Sequence, residues 1–230
     1  MTIRKFFTLT TILFAAFSFV SCSSDDDEEE KKNDVVADKH EYVDLGLPSG
    51  TLWATCNVGA SKPEEFGDYF AWGEIEPRAS YDDNYKWNKD GRYTKYCASS
   101  DWGNVDNQLE LLPEDDAATA NWGSDWCTPS KDQFNELIKS DYTTIAQATQ
   151  NGVDGWKITS KKNGKTLFFP TAGERWYDDF LGNNECCCWT RSVEEKGSIA
   201  AYLLKIDEWA GAELRPREEG VTIRPVRVKK

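Results

Sequence analysis

The stretch VDLGLPSGTLWATCNVGA, residues 43–60, opens the part of this chain in which a fold can be recognised. Its second half, Leu52 to Val58, is a candidate β-strand, and Tyr69 to Trp72 is the next one. Five further motifs follow: GDYFAWGE at 67–74, DDAA at 115–118, WCTPS at 126–130, FPTAG at 169–173 and IRPV at 223–226. The six motifs span residues 43–226, so we expect one fold to extend across them.

In this order the six motifs resemble the Fibrobacter succinogenes major paralogous domain family. The resemblance implies a C-type-lectin-like fold, a scaffold whose long loops carry the function on a small core. Many lectin-like domains hold calcium in a loop, so the resemblance also adds weight to calcium at acidic loop residues. The family is not known for hydrolysis.

Local patterns predict two short helices. The first covers Glu114 to Ala120, with acids in its first turn, where the positive end of the helix dipole favours them, and Gly123 as its stop. The second begins at Ser130, which forms a capping box with Gln133, and runs to about Lys139.

The second half of the chain predicts strands. Trp156 to Ser160 alternates apolar and polar residues and meets Leu167 to Phe169 across Asn163-Gly164, a pair typical of tight hairpin turns. Ala200 to Ile206 and Val221 to Val228 are further candidates. We therefore predict an α+β, C-type-lectin-like fold with two short helices and a loop-rich antiparallel β half. No linker or repeat interrupts residues 41–230, so they are predicted to form one domain.

The N-terminus is typical of an export signal. Arg4 and Lys5 precede an apolar run from Phe6 to Val20, which is shorter than the roughly 20 residues of a membrane-spanning helix. The run ends in FVSC at 19–22, which resembles a bacterial lipobox. Residues 1–21 are thus predicted to be a lipoprotein signal peptide, and Cys22 is predicted to be lipidated.

Residues 22–40 are predicted to be a disordered tether, because the six consecutive acids at 25–30 repel one another and cannot pack. An acidic run directly after a lipidated cysteine also resembles the surface-export signal of Bacteroidota-type lipoproteins. We therefore expect a lipid anchor in the outer membrane that displays the domain to the exterior. A periplasm-facing anchor is the alternative.

Composition narrows the function classes. The chain holds 40 Asp and Glu against 27 Lys and Arg, a net charge of −13, which disfavours nucleic acids and anionic membrane surfaces as partners. Its single histidine, His40, lies before the predicted domain. Triads built on histidine and metal sites built on histidine ligands are therefore excluded, and we predict a protein that is not an enzyme.

Six cysteines remain after Cys22: Cys56, Cys97, Cys127 and the run Cys186-Cys187-Cys188. Export implies an oxidising compartment, so disulfides are expected, and we predict that Cys127 pairs with one residue of the run. A thiolate zinc site is disfavoured because the sequence has no CxxC motif.

Acidic residues suggest a calcium site, because calcium prefers six to eight oxygen ligands. The candidate ligands are Asp106, Glu114, Asp115 and Asp116. The alternative is that acids at the start of a helix only cap it. A pair of carboxylates also allows glycoside hydrolysis, but nothing in the sequence sets their separation.

Tryptophans divide into two groups. Trp53, Trp72, Trp126 and Trp189 lie in motifs or strands and are predicted to be core. Others lie in polar, turn-rich stretches, where they either anchor a loop or stack on a sugar ring beside Asp and Asn. The predicted ligand surface consists of Trp176, Tyr177, Asp178, Asp179, Arg191 and Trp209.

Together these observations predict a lipid-anchored surface protein that binds an extracellular glycan or fibre polysaccharide without catalysis. The alternative is a structural or adhesive component of a surface or fimbria-like assembly, whose partner is another protein. Calcium is the only cofactor expected, and no organic cofactor is.

Overall fold

The structure is a computed structural model that describes residues 40–82, 84–182, 184–196 and 199–228, apart from the side chain of Val228. These residues belong to one compact unit. The predicted signal peptide, the lipidation at Cys22 and the acidic tether up to residue 39 lie outside the described residues.

Fourteen strands and two α-helices form the described part of the chain, and a 3₁₀ turn at Pro113–Asp115 precedes the first helix. The helices are α1, Ala117–Trp122, and α2, Lys131–Leu137. The strands are β1 Tyr42–Asp44, β2 Thr51–Ala54, β3 Asn88–Lys89, β4 Arg92–Tyr93, β5 Thr143–Gln150, β6 Val153–Ser160, β7 Thr166–Pro170, β8 Glu174–Trp176, β9 Asp179–Leu181, β10 Cys186–Val193, β11 Ala200–Ile206, β12 Ala210–Pro216, β13 Gly220–Val221 and β14 Val226–Val228.

The strands form five small antiparallel sheets, with the orders β1-β2-β14, β3-β4, β5-β6-β7, β13-β8-β9 and β10-β11-β12. The two α-helices have only six and seven residues, well below the roughly 12–15 at which an isolated helix begins to be stable. The fold is therefore mainly β, and the predicted α+β, C-type-lectin-like fold is wrong.

Both helices were nevertheless located correctly. Asp116 caps α1, and its carboxylate accepts a hydrogen bond from the Ala118 N–H at 2.9 Å. The prediction began the helix too early because Pro113–Asp115 form a 3₁₀ turn instead. The capping box of Ser130 and Gln133 is present at the start of α2.

The hairpin predicted around Asn163-Gly164 is confirmed. Strands β6 and β7 pair from Gly155 opposite Pro170 to Thr159 opposite Thr166, and Gly164 adopts a positive φ of 72° in the connection. Strand β5, which pairs with β6 over eight residues, was not predicted. Its sequence TTIAQATQ has few apolar residues, because most of its side chains are not buried.

The strand β10 separates two hydrophobic clusters. Cys186 and Cys188 point into a cluster that contains Phe134 of α2, whereas Cys187 and Trp189 point into the other. Side chains alternate between the two faces of a strand, so a strand that is apolar on both faces must lie between two cores. The four tryptophans predicted to be core, Trp53, Trp72, Trp126 and Trp189, are at most 1% exposed.

His40 packs against the folded domain, contrary to its predicted place outside it. Its ring stacks on Trp122 at a centroid distance of 3.7 Å and meets the edge of Trp126. Among the described residues, no helix has the length and apolarity needed to cross a membrane.

Candidate functional site

The hairpin of β8 and β9 carries most of the residues predicted to bind a ligand. Trp176 lies opposite Asp179, and Tyr177-Asp178 form the turn between them. Strand β9 is the edge of its three-stranded sheet, and all three of its residues are exposed. An edge strand with solvent on both faces presents its side chains rather than burying them.

Exposed apolar side chains concentrate on this hairpin. Tyr177, Phe180 and Leu181 are 44%, 38% and 42% exposed, and Phe66 from a neighbouring loop is 36% exposed. The Phe66 and Phe180 rings are parallel within 1°, with centroids 6.4 Å apart. Such groups of exposed apolar side chains mark interaction sites. The hairpin surface is defined here as Phe66, Trp176, Tyr177, Asp178, Asp179, Phe180 and Leu181.

Tyr177 is held in an unusual backbone conformation. Its φ of 53° lies in the left-handed region, which costs a residue with a side chain about 1–2 kcal/mol. Two backbone hydrogen bonds with Tyr81, of 2.8 and 3.1 Å, keep it there. The buried Tyr81 hydroxyl in turn donates to the Tyr69 carbonyl. Strain that the surroundings maintain is concentrated at functional sites in proteins.

Polar groups flank the aromatic side chains of the hairpin surface. Trp176 is half-buried and meets Tyr177 edge to face at a centroid distance of 5.3 Å. Asp178 and Asp179 are exposed, and neither forms an ion pair within the described part of the chain. Their carboxylates are available to accept hydrogen bonds from a ligand.

Trp209 lies on the turn between β11 and β12. Its side chain is 83% exposed, and its backbone N–H donates to the Asp207 carboxylate at 2.7 Å. Lys205 connects this turn to the end of the hairpin segment, because its ammonium contacts Asp207 at 3.2 Å and Glu185 at 2.9 Å. Lys205 and Asp207 thus connect the turn of Trp209 to Glu185, which follows β9.

Arg191 is placed elsewhere. Its guanidinium pairs with Glu110 and lies 3.3 Å from the carbonyl oxygen of Thr128. Its backbone N–H donates to Pro129, just before α2. Arg191 therefore connects the start of α2 to β10 and does not join the hairpin surface.

Two of the predicted calcium ligands have partners of their own. The Asp106 carboxylate accepts hydrogen bonds from the N–H groups of Tyr96 and Cys97, at 2.7 and 3.0 Å. Asp115 pairs with Lys95 and with Lys86, and accepts from the Tyr96 hydroxyl. Burial alone would raise the pKa of Asp115, but these hydrogen bonds hold it below its usual value.

The other two, Asp116 and Glu114, differ in burial. Asp116 caps α1 and also accepts from the N–H and hydroxyl of Thr128, at 2.8 and 2.6 Å, while burial raises its pKa. Glu114 is exposed and lies 3.7 Å from Lys95. Among the described residues, no group of three or more acidic, histidine or cysteine side chains is arranged to hold a metal ion.

The cysteines of the described residues are not bonded to one another in this structure. Cys127 packs against the cluster that contains Cys186 and Cys188, whereas Cys187 faces the other cluster. The predicted disulfide of Cys127 stays a prediction, and its candidate partners narrow to Cys186 and Cys188.

Three members of the hairpin surface were not predicted: Phe66, Phe180 and Leu181. In the sequence they are ordinary apolar residues, and nothing in it says that β9 is an edge strand. The only local signal is Gly182 after the strand, which adopts a positive φ of 80°.

Comparison with known proteins identifies no relative: no family model, no curated protein and no solved structure matches the chain. The case for a function therefore depends on the geometry of the hairpin surface.

Proposed function

We propose that the folded part of the chain is a binding module that takes an extracellular glycan on the hairpin surface, without catalysis. The observation that carries the proposal is the exposed Tyr177, which two backbone hydrogen bonds hold at a positive φ beside free carboxylates. A group held rigidly in water loses little entropy when a ligand binds.

Sugar rings suit this combination of side chains. Their CH groups pack on the flat faces of aromatic rings, and their hydroxyls donate hydrogen bonds to carboxylates. Tyr177 offers the aromatic face, while Asp178 and Asp179 offer the acceptors. Trp209, on the β11–β12 turn that Lys205 connects to Glu185, adds a second aromatic face for a polymer longer than one sugar.

The experiment is a binding panel of cellohexaose, xylohexaose and chitohexaose, with calcium and then with a chelator. The protein is the chain from residue 22 onward with Cys22→Ser. Tyr177→Ala and Trp209→Ala should each weaken binding about tenfold, since an aromatic contact contributes about 0.5–1.5 kcal/mol. Trp102→Ala is the matched control, because Trp102 is 44% exposed but lies outside the hairpin surface. Unchanged binding in both test variants contradicts the proposed site.

The cellular location of the protein is part of the proposal. We expect the exported chain to be lipidated at Cys22 and displayed on the outer membrane. Metabolic labelling with a palmitate analogue should mark the wild-type chain and not Cys22→Ser, and protease added to whole cells should digest the domain. Protection from protease in intact cells contradicts outward display.

A second candidate function is assembly with another surface protein. The specific observation that favours it is the purely apolar part of the hairpin surface, Phe66, Phe180 and Leu181. Leu181→Asp should then release a co-purifying partner from cell extracts, while the binding of oligosaccharides is absent in wild type as well.

A further inference from the structure

A group of charged side chains fastens the base of the β8–β9 hairpin. Arg215 of β12 donates from Nε to both carboxylate oxygens of Glu174, at 3.0 and 3.1 Å, and from Nη1 to Glu213 at 3.0 Å. Glu219, which directly precedes β13, has its Oε2 4.0 Å from the same Nε. Glu174, Glu213, Arg215 and Glu219 are called the carboxyl clasp below.

The clasp lies where the hairpin meets the rest of the fold. Glu174 is the first residue of β8 and pairs with Val221, and Arg175 pairs with Gly220. The side chains of Glu174 and Glu219 are only 10% and 12% exposed. A change of charge at this point therefore acts on the attachment of the hairpin surface.

The charges of the clasp do not balance if every carboxylate is ionised. Three carboxylates then face the single guanidinium of Arg215. Glu218, from the same turn as Glu219, adds negative potential. The Cys187 thiol, which faces Glu174 from β10, is neutral because burial raises its pKa. Lys205 is close enough to Glu213 for an electrostatic interaction, but its ion pairs are with Glu185 and Asp207.

A missing hydrogen bond at Glu219 agrees with a proton on its carboxyl group. Oε2 of Glu219 is buried and accepts no hydrogen bond within the described part of the chain. A protonated Glu219 accounts for both the excess of negative charge and the buried oxygen without a hydrogen bond. Protonation cancels one negative charge, and the O–H can donate to the neighbouring Glu174.

We propose that Glu219 stays protonated at neutral pH and donates a hydrogen bond to Glu174, and that this bond fastens the β8–β9 hairpin more tightly as the pH falls. Burial and the neighbouring Glu174 carboxylate raise the pKa of Glu219 to about 8, which agrees with this arrangement. When the hairpin opens, Glu219 meets water and returns to an ordinary value of about 4.3. Opening then releases a proton between these two values, and rising pH favours it by at most about tenfold per pH unit.

The consequence for ligand binding rests on the proposed function. If the ordered hairpin surface binds a glycan, acid conditions hold that surface in its binding form. The device would tune binding in an acidified environment without any residue of the clasp touching the ligand.

The test is hydrogen exchange of the backbone amides of residues 177–181 between pH 5 and pH 8, corrected for the intrinsic exchange rate at each pH. In the chain from residue 22 onward with Cys22→Ser, we expect the opening constant to rise severalfold, and at most tenfold, per pH unit. Glu219→Gln, which imitates the protonated carboxyl, should make the opening constant independent of pH. Glu213→Gln is the matched control, because Glu213 contacts the same arginine but is 45% exposed, and it should keep the wild-type response.

A wild-type opening constant that does not change with pH, or a Glu219→Gln variant that keeps the wild-type slope, overturns the proposal. The measurement needs no ligand, so it is separate from the glycan panel. If the protein binds glycans but its hydrogen exchange does not depend on pH, only the proposal about Glu219 is contradicted. If hydrogen exchange depends on pH but no glycan binds, only the proposed glycan binding is contradicted.

Discussion

The interior of the protein and the base of the hairpin each hold an arginine, but with different kinds of partner. In the interior, the fully buried Arg224 donates to the Asn57 side-chain oxygen at 2.7 Å and to the carbonyls of Thr55 and Phe168 at 2.9 and 3.1 Å. It also lies over the Phe169 ring at 4.5 Å. At the hairpin, Arg215 is held by carboxylates.

The difference has a physical consequence. Neutral carbonyls and aromatic faces do not titrate, so the bonds of Arg224 are the same across the physiological pH range. Carboxylates crowded around one cation do titrate, because their mutual repulsion and burial push one pKa into that range. The interior is therefore fixed, whereas the attachment of the hairpin surface can respond to its surroundings.

The strongest test of the fixed interior is Arg224→Ala. We expect it to lower the free energy of unfolding by about 3–5 kcal/mol, since it leaves several buried acceptors without donors. Urea unfolding followed by tryptophan fluorescence measures it. Lys139→Ala, which removes an exposed ion pair with Asp141, should cost under about 0.5 kcal/mol. A loss below 1 kcal/mol for Arg224→Ala would show that the interior does not depend on this residue.

Asp116→Ala tests whether a buried carboxylate in the interior is structural. It removes the cap of α1 and the acceptor for Thr128, so we expect a loss of about 2–3 kcal/mol in the free energy of unfolding. Thermal unfolding with calcium and with a chelator should give the same loss. A wild-type protein that calcium stabilises, next to a variant that it does not, would restore Asp116 as a calcium ligand.

The pH dependence of the free energy of unfolding tests whether Glu219 titrates at the base of the hairpin. Because the pKa of Glu219 is raised in the folded protein to about 8, the folded state keeps a proton that the unfolded state releases. Stability from this group is thus complete below about pH 4.3 and is lost as the pH rises towards 8, by at most about 1.4 kcal/mol per unit. We expect about 2 kcal/mol less loss between pH 6 and 8 in Glu219→Gln, measured by urea unfolding at each pH. Identical slopes in both proteins would contradict it.

The smallest effect on stability should come from Trp209→Ala. A side chain that is 83% exposed contributes little to the core, so the free energy of unfolding should change by less than about 0.5 kcal/mol. Its effect should be confined to glycan affinity. A loss of stability above 1 kcal/mol would identify Trp209 as a loop anchor, the alternative that the sequence left open.

Short-range features were predictable because they depend on neighbouring residues. Ser130 and Gln133 satisfy each other's backbone N–H groups three residues apart, and Gly164 supplies the positive φ of its turn. The core tryptophans were also predictable, because large apolar side chains in apolar segments of the chain are usually buried.

Long-range features were not predictable. Whether β9 is an edge or a centre strand depends on β8 and β13, and the latter lies about 40 residues later in the chain. Motif resemblance led to the wrong fold because the motifs specify local turns and strand ends, not how the sheets are arranged.

The sequence by itself determined the capping box at the start of α2, the hairpin turn at Gly164 and the core tryptophans, all of which depend on residues close along the chain. Only the tertiary structure decided that Arg191 pairs with Glu110 away from the hairpin, and that Glu174, Arg215 and Glu219 meet at its base. The Arg191–Glu110 and Glu174–Arg215 contacts each join residues more than 40 positions apart. Charge and burial at such a contact depend on the whole fold, and local sequence patterns carry no information about them.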